Sequence, residues 1–149
     1  MEKIYEVKGI VNKGFVGQIS YTVNLPKRYD KLVIDFEFDK RTCEDRYAMK
    51  DEVAKTLKDK YDFEYASEEE LIDAMHDLKT EMHPAIFLND EFVGNVHKQL
   101  QHRTMTITAD SASEGCIPCT DIEGVLKVTV VVFNVIYDNT TYTVEVHAC

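Results

Sequence analysis

The chain has no tryptophan, three prolines and six glycines in 149 residues. It has no glycine-rich phosphate loop, no Walker sequence and no nucleophile elbow, which removes the nucleotide-binding and hydrolase readings that rest on local motifs. Without Trp, the 8 Tyr and 7 Phe are absorbed by strand and helix core faces rather than by a sugar-stacking platform. No repeat, linker or low-complexity tract divides the chain. No apolar stretch approaches the ~20 residues of a membrane span, and Met1-Glu2-Lys3-Ile4-Tyr5-Glu6 has no apolar signal-peptide region. A cytoplasmic location is therefore expected. Positive charge is also scarce: 17 Lys plus Arg stand against 27 Asp plus Glu, for a formal charge of −10. Such a balance repels phosphate backbones and anionic lipid, so neither nucleic acid nor membrane is expected as a partner.

At 44% hydrophobic and 30% charged residues the composition is that of a globular protein. A chain of this length buries about 68–70% of its unfolded surface, so no metal or disulfide is needed for folding. Residues 1–149 are read as one domain. In a reducing compartment Cys43, Cys116, Cys119 and Cys149 are thiols, and Asn139-Thr140-Thr141 is a polar turn rather than a glycosylation site.

The organising stretch runs from Gly124 to His147, two long strands folded at Asp138-Asn139-Thr140 as a central hairpin. Val128 to Phe133 is apolar at both parities, as in a central strand covered on both faces. The second strand alternates, with Tyr142, Val144 and Val146 on one face and Thr141, Thr143, Glu145 and His147 on the other. Val16 to Leu25 and Leu32 to Phe38 alternate likewise, separated by a turn at Pro26 to Asp30. Ile4 to Val11, interrupted by Gly9, reads as an edge or bulged strand. Ala85 to Leu88 and Glu91 to Val96 form a hairpin around Asn89-Asp90, and Thr104 to Ala109 is a further strand.

Between residues 41 and 82 the period changes to that of helices. Tyr47, Ala54, Leu57 and Tyr61, with Met49 and Val53, make one apolar stripe. A second helix starts at Ser67, capped with Glu70 three residues on, and carries Leu71, Met75, Leu78 and Met82 as its buried stripe. The expected fold is mainly β, an antiparallel sandwich of about eight strands, jelly-roll-like, with a two-helix insertion over 41–82.

Cys116-Ile117-Pro118-Cys119 has redox spacing, but a strand rather than a helix follows it, which argues for two loop thiols. These thiols with Cys43 and Cys149 do not make the two close pairs of a zinc site. Glu69, Asp73, His76 and Asp77 share a helix face that reads as solvated. His83, His97, His102 and His147 lack ligand spacing and read as surface or strand-end histidines. No catalytic residue, metal or cofactor is expected.

The run Thr106 to Cys119, followed by Ile122 to Val128, resembles the N-terminal β-sandwich region of PHP-type metallohydrolases of the CehA/McbA kind. There a strand enters an Ala-Thr-Pro-Gly-Tyr-x-Pro-Gly loop before a Gly-x-Trp strand start. Ala112, Gly115, Pro118 and Gly124 fit, whereas Glu114, Cys116, Cys119 and Leu126 replace Pro, Tyr, Gly and Trp. Leu25-Pro26 followed by Leu32 to Phe36 is similar to that region's early strands, and residues 41–82 have no counterpart. The resemblance implies a sandwich standing alone, since Cys149 falls where the hydrolase part would begin, and it carries over no catalytic or metal-binding residue. The expected function is a non-enzymatic binding or protein-interaction module. Its candidate surface is Glu68, Glu69, Asp73 and Asp77, and its expected partner is a basic protein. The alternative is a small thiol-dependent redox protein or hydrolase using Cys116 and Cys119.

Overall fold

Alternation places one parity of each strand in a common core. A computed structural model describes every residue except 97 and 99. Among the described residues it contains β1 (Glu2–Val11), β2 (Gly17–Tyr29), β3 (Lys31–Phe38), β4 (Glu81–Leu88), β5 (Glu91–Asn95), β6 (His102–Thr108), β7 (Ile122–Asn134) and β8 (Thr140–Ala148). They form two four-stranded sheets, β1-β8-β3-β6 and β2-β7-β4-β5, with all neighbours antiparallel. Consecutive strands alternate between the sheets except β4 and β5, which meet in a hairpin at Asn89-Asp90, both at positive φ. This is the winding of a jelly roll.

Leu32, Ile34, Phe36, Val144, Val146, Met105 and Ile107 from the first sheet face Leu126, Val128, Val130, Val132, Met82 and Ile86 from the second, all essentially inaccessible to solvent. Each such side chain contributes roughly 1.5–3 kcal/mol of transfer free energy, set against the entropy of ordering the strands.

Several local expectations need correction. β7 and β8 are not a hairpin: the chain crosses between the sheets after Asn134. β7 pairs with β2 and β4, whereas β8 pairs with β1 and β3. Each strand is central, and their apolar faces oppose one another across the core instead of lying side by side. The cover on β7's outer face is incomplete, because Thr129 is buried while Val125 and Phe133 near the strand's ends are exposed.

Pro26 does not end β2, which runs on to Tyr29. The register with β7 shifts between Leu25 and Tyr29, on an edge strand, where a missing N–H is tolerated. β1 is an edge strand, as expected, and its irregularity lies between Lys3 and Tyr5 rather than at Gly9. Gly9 is opposite Tyr142, and an added Cβ would stand 2.2 Å from the tyrosine's hydroxyl oxygen and ring. That hydroxyl lies 2.5 Å from the Tyr21 hydroxyl.

The insertion holds α1 (Arg46–Tyr61), α2 (Glu68–Ala74) and a single 3-10 turn, Met75–Asp77. Ser67 Oγ accepts a hydrogen bond from Glu70 N at 3.2 Å, the expected cap. The second helix, however, stops at Ala74, and Met82 belongs to β4. Thr42 bridges to Lys79 and Thr80 N donates to Arg41 O at 2.8 Å, so pairing extends the chain where the apolar periodicity would continue a helix. Leu71 and Met75 are buried, but Leu78 is only half-buried. α1 departs furthest from expectation: it has no pronounced apolar face and buries no residue, with Met49, Val53, Ala54 and Leu57 half-buried and Tyr47 and Tyr61 each 71% exposed. No helix among the described residues is long and apolar enough to cross a membrane.

Candidate functional site

The cysteine loop between β6 and β7 is a strap. Ile117 N donates to Val93 O and Asn95 N to Gly115 O, while Ser113 N donates to Thr106 O and Cys119 N to Thr108 O. The loop thereby ties edge strand β5 of one sheet to edge strand β6 of the other and closes that side of the sandwich. Cys116 packs against Gly94, where a Cβ would lie 2.7 Å from Sγ. Burial pushes the Cys116 thiol up, although Ser113 Oγ–H donates to its sulfur. An activated thiol needs the opposite shift. All four cysteines are free. Cys43 lies beside Met49 at the insertion, and Cys149 pairs its backbone with Lys31, so the chain does not gather a four-thiolate site.

Glu68, Glu69, Asp73 and Asp77 are all exposed. Glu68 meets Lys50 at 3.4 Å, and among the described residues Glu69, Asp73 and Asp77 have no cationic partner. Glu69, Asp73, His76 and Asp77 no longer share one helix face, because the last two belong to the 3-10 turn. Clefts border α1 on several sides. One of about 570 Å³ separates Met49, Val53, Leu57 and Tyr61 from the end of the sandwich at Phe133 to Ile136. Another, of about 210 Å³, lies among Ala54, Leu57, Phe63, Tyr65 and Leu71, with Glu64 and Glu68 also in its lining. Phe63 and Tyr65 meet edge to face, with ring centroids 4.9 Å apart. From Arg46 to Asp77, Asp and Glu outnumber Lys and Arg two to one.

A second group of polar residues occupies the solvent face of the β1-β8-β3-β6 sheet. Pairing places Glu6 opposite Glu145, Glu145 opposite Asp35, and Asp35 opposite Thr104. On one flank of this row His147 lies between Lys3 and Val33, and on the other Glu37 lies between Thr143 and His102. His147 Nε2 is 3.1 Å from Glu145 Oε2 and His102 Nε2 is 3.3 Å from Asp35 Oδ1. Thr104 Oγ1–H donates to the same Asp35 oxygen at 2.6 Å. Lys3 Nζ is 2.6 Å from Glu6 and 3.9 Å from Glu145; this pairing lowers the Glu6 pKa and raises that of Lys3.

Sequence reasoning missed this group. Glu145 and His147 visibly share a strand face at i, i+2 spacing, but only the register of β3 against β8 brings Asp35 to them. Of the other histidines, His102 is exposed at the start of β6, as expected. His83 is buried, with Nδ1 3.0 Å from Val96 O and its ring edge-on to Phe133. It is thus a packed core-edge residue and not a surface one. His97 lies outside the described residues.

A family model described as a family of unknown function (DUF6669) matches residues 1–149. No curated protein and no solved structure matches the chain.

Proposed function

Because the chain belongs to DUF6669, a family of unknown function, we propose its role from its own surface: a non-enzymatic interaction module that receives a basic, amphipathic protein segment on its helical insertion. The observation that carries this reading is α1, a 16-residue helix none of whose side chains is buried: Met49, Val53, Ala54 and Leu57 are half-buried, and Tyr47 and Tyr61 are exposed. A folded chain normally covers the apolar residues of a helix, and here clefts border Met49, Val53 and Leu57 instead. Charge selects the occupant. Glu64 and Glu68 line the cleft that holds Phe63 and Tyr65 and are exposed, and Glu69, Asp73 and Asp77 continue the acidic surface along α2 and its 3-10 turn. Apolar side chains spaced along a helix would enter the cleft while Lys and Arg meet the rim. Complementary charge of this kind accelerates encounter and is screened by salt.

The test is fluorescence anisotropy with a labelled peptide carrying Leu at helical spacing on one face and Lys/Arg on the other. Binding should weaken as salt rises, and E69K/D73K/D77K should weaken it by about tenfold or more without changing the melting temperature, since single exposed charges contribute little to stability. A Glu/Asp version of the peptide should not bind. If the basic peptide fails to bind, or binds the reversed variant equally well, this reading is wrong.

A further inference from the structure

We infer that the solvent face of the β1-β8-β3-β6 sheet is a site for a zinc-class divalent metal ion, held by Asp35, Glu145 and His147. The inference stands apart from the helical insertion and needs no partner there. Asp35, Glu145 and His147 each offer a ligand atom, and these atoms all lie within 4.8 Å of one another. Ligands bound to zinc at about 2.0–2.2 Å in a tetrahedron stand about 3.4 Å apart. The site therefore closes by side-chain rotation alone, which its solvent-facing position permits. Its scaffold is rigid: β3 and β8 are both interior strands of their sheet, and Glu145 and His147 project to the same side because strand side chains repeat every second residue.

Electrostatics gives an independent reason. Glu6, Glu145 and Asp35 face each other across three adjacent strands, and like charges directly opposed across a ladder are destabilising. Lys3 relieves only one end of the row, since it is committed to Glu6 at 2.6 Å and stands 3.9 Å from Glu145. A divalent cation between Asp35 and Glu145 would neutralise the remainder. The donor set chooses the ion: imidazole nitrogen with carboxylate oxygen suits zinc and its first-row neighbours, whereas Ca²⁺ and Mg²⁺ favour all-oxygen sites. With few protein ligands and an open outward side, the coordination sphere would be completed by water.

The experiment is calorimetric titration of EDTA-stripped protein with ZnCl₂, paired with the visible spectrum of the Co²⁺ form. One equivalent should bind saturably, and excess Ca²⁺ or Mg²⁺ should not compete. H147A and D35N should each weaken binding by about tenfold or more while their melting temperatures in EDTA match the parent. C116S/C119S should bind as the parent does, and the Co²⁺ spectrum should lack the sulfur-to-metal charge-transfer band. E69K/D73K/D77K should also bind normally, which separates this site from the proposed peptide surface. Absence of saturable binding, retention of full affinity in H147A and D35N, or a charge-transfer band lost in C116S/C119S would each overturn the inference.

Discussion

Replacing residues 46–77 by a short Gly-Ser loop should leave the sandwich folded, although it removes both helices. The two ends of the insertion are already held together, because Thr42 bridges to Lys79 and Thr80 N donates to Arg41 O. α1 contributes no buried side chain. Leu71 and Met75 are buried but do not belong to the sandwich core cluster, so their burial is lost together with the entropy cost of ordering the segment that carries them. The largest loss to the sandwich is Ile136, which is buried outside that cluster and borders the cleft under α1. Exposing it costs at most about 1.5–3 kcal/mol. The exposed Lys13–Glu52 pair adds about 0–1 kcal/mol. Shortening the loop by more than two halvings returns about 1.2 kcal/mol, at roughly 0.6 kcal/mol each. The net change is a loss of about 0–3 kcal/mol, within the 5–15 kcal/mol typical of domains. Urea unfolding followed by circular dichroism measures it, with the helical signal absent and one cooperative transition retained. An unfolded or aggregated product, or a loss above about 5 kcal/mol, would show that the insertion is part of the core. The shortened protein should bind zinc and not the basic peptide.

Gly9→Ala should cost about 1–3 kcal/mol by overpacking against Tyr142, and much less in a Tyr142→Leu background; equal costs in a double-mutant cycle would place the strain elsewhere. Arg103 is 3% exposed, stacks near Phe36 and Phe38, and has an Nη1 without a partner among the described residues, and burial pulls its pKa down to about 10. Arg103→Met should therefore be neutral or stabilising, while Arg103→Ala should lose about 2 kcal/mol or more through lost packing; denaturant melts of both variants decide. Cys116 should react with iodoacetamide more slowly than exposed Cys149 at neutral pH, and its rate should level off only above the ordinary thiol range of about 8.5. Mass spectrometry reads each site, and faster alkylation of Cys116 would return the loop to the redox reading.

The mainly β fold and the buried parity of β3 and β8 were legible without coordinates, because strand periodicity is local: Leu32, Ile34 and Phe36, or Val144 and Val146, can share a face in only one way. The Ser67 cap was legible for the same reason, as its hydrogen bond spans three residues. Sheet membership was not. Nothing between Asn134 and Thr140 distinguishes a hairpin from a crossing between sheets, and the choice depends on partners more than a hundred residues away, β1 and β2. The end of α2 was misread because Thr42 and Arg41, far upstream, draw Lys79 and Thr80 into extended pairing. The exposure of α1 was also hidden, since a few apolar residues at helical spacing do not say whether this chain covers them. Of the two proposed sites, the acidic surface could be named from one helical segment. The Asp35–Glu145–His147 group could not, because register, a property of two strands together, is what sets a carboxylate of β3 beside the alternating polar residues of β8.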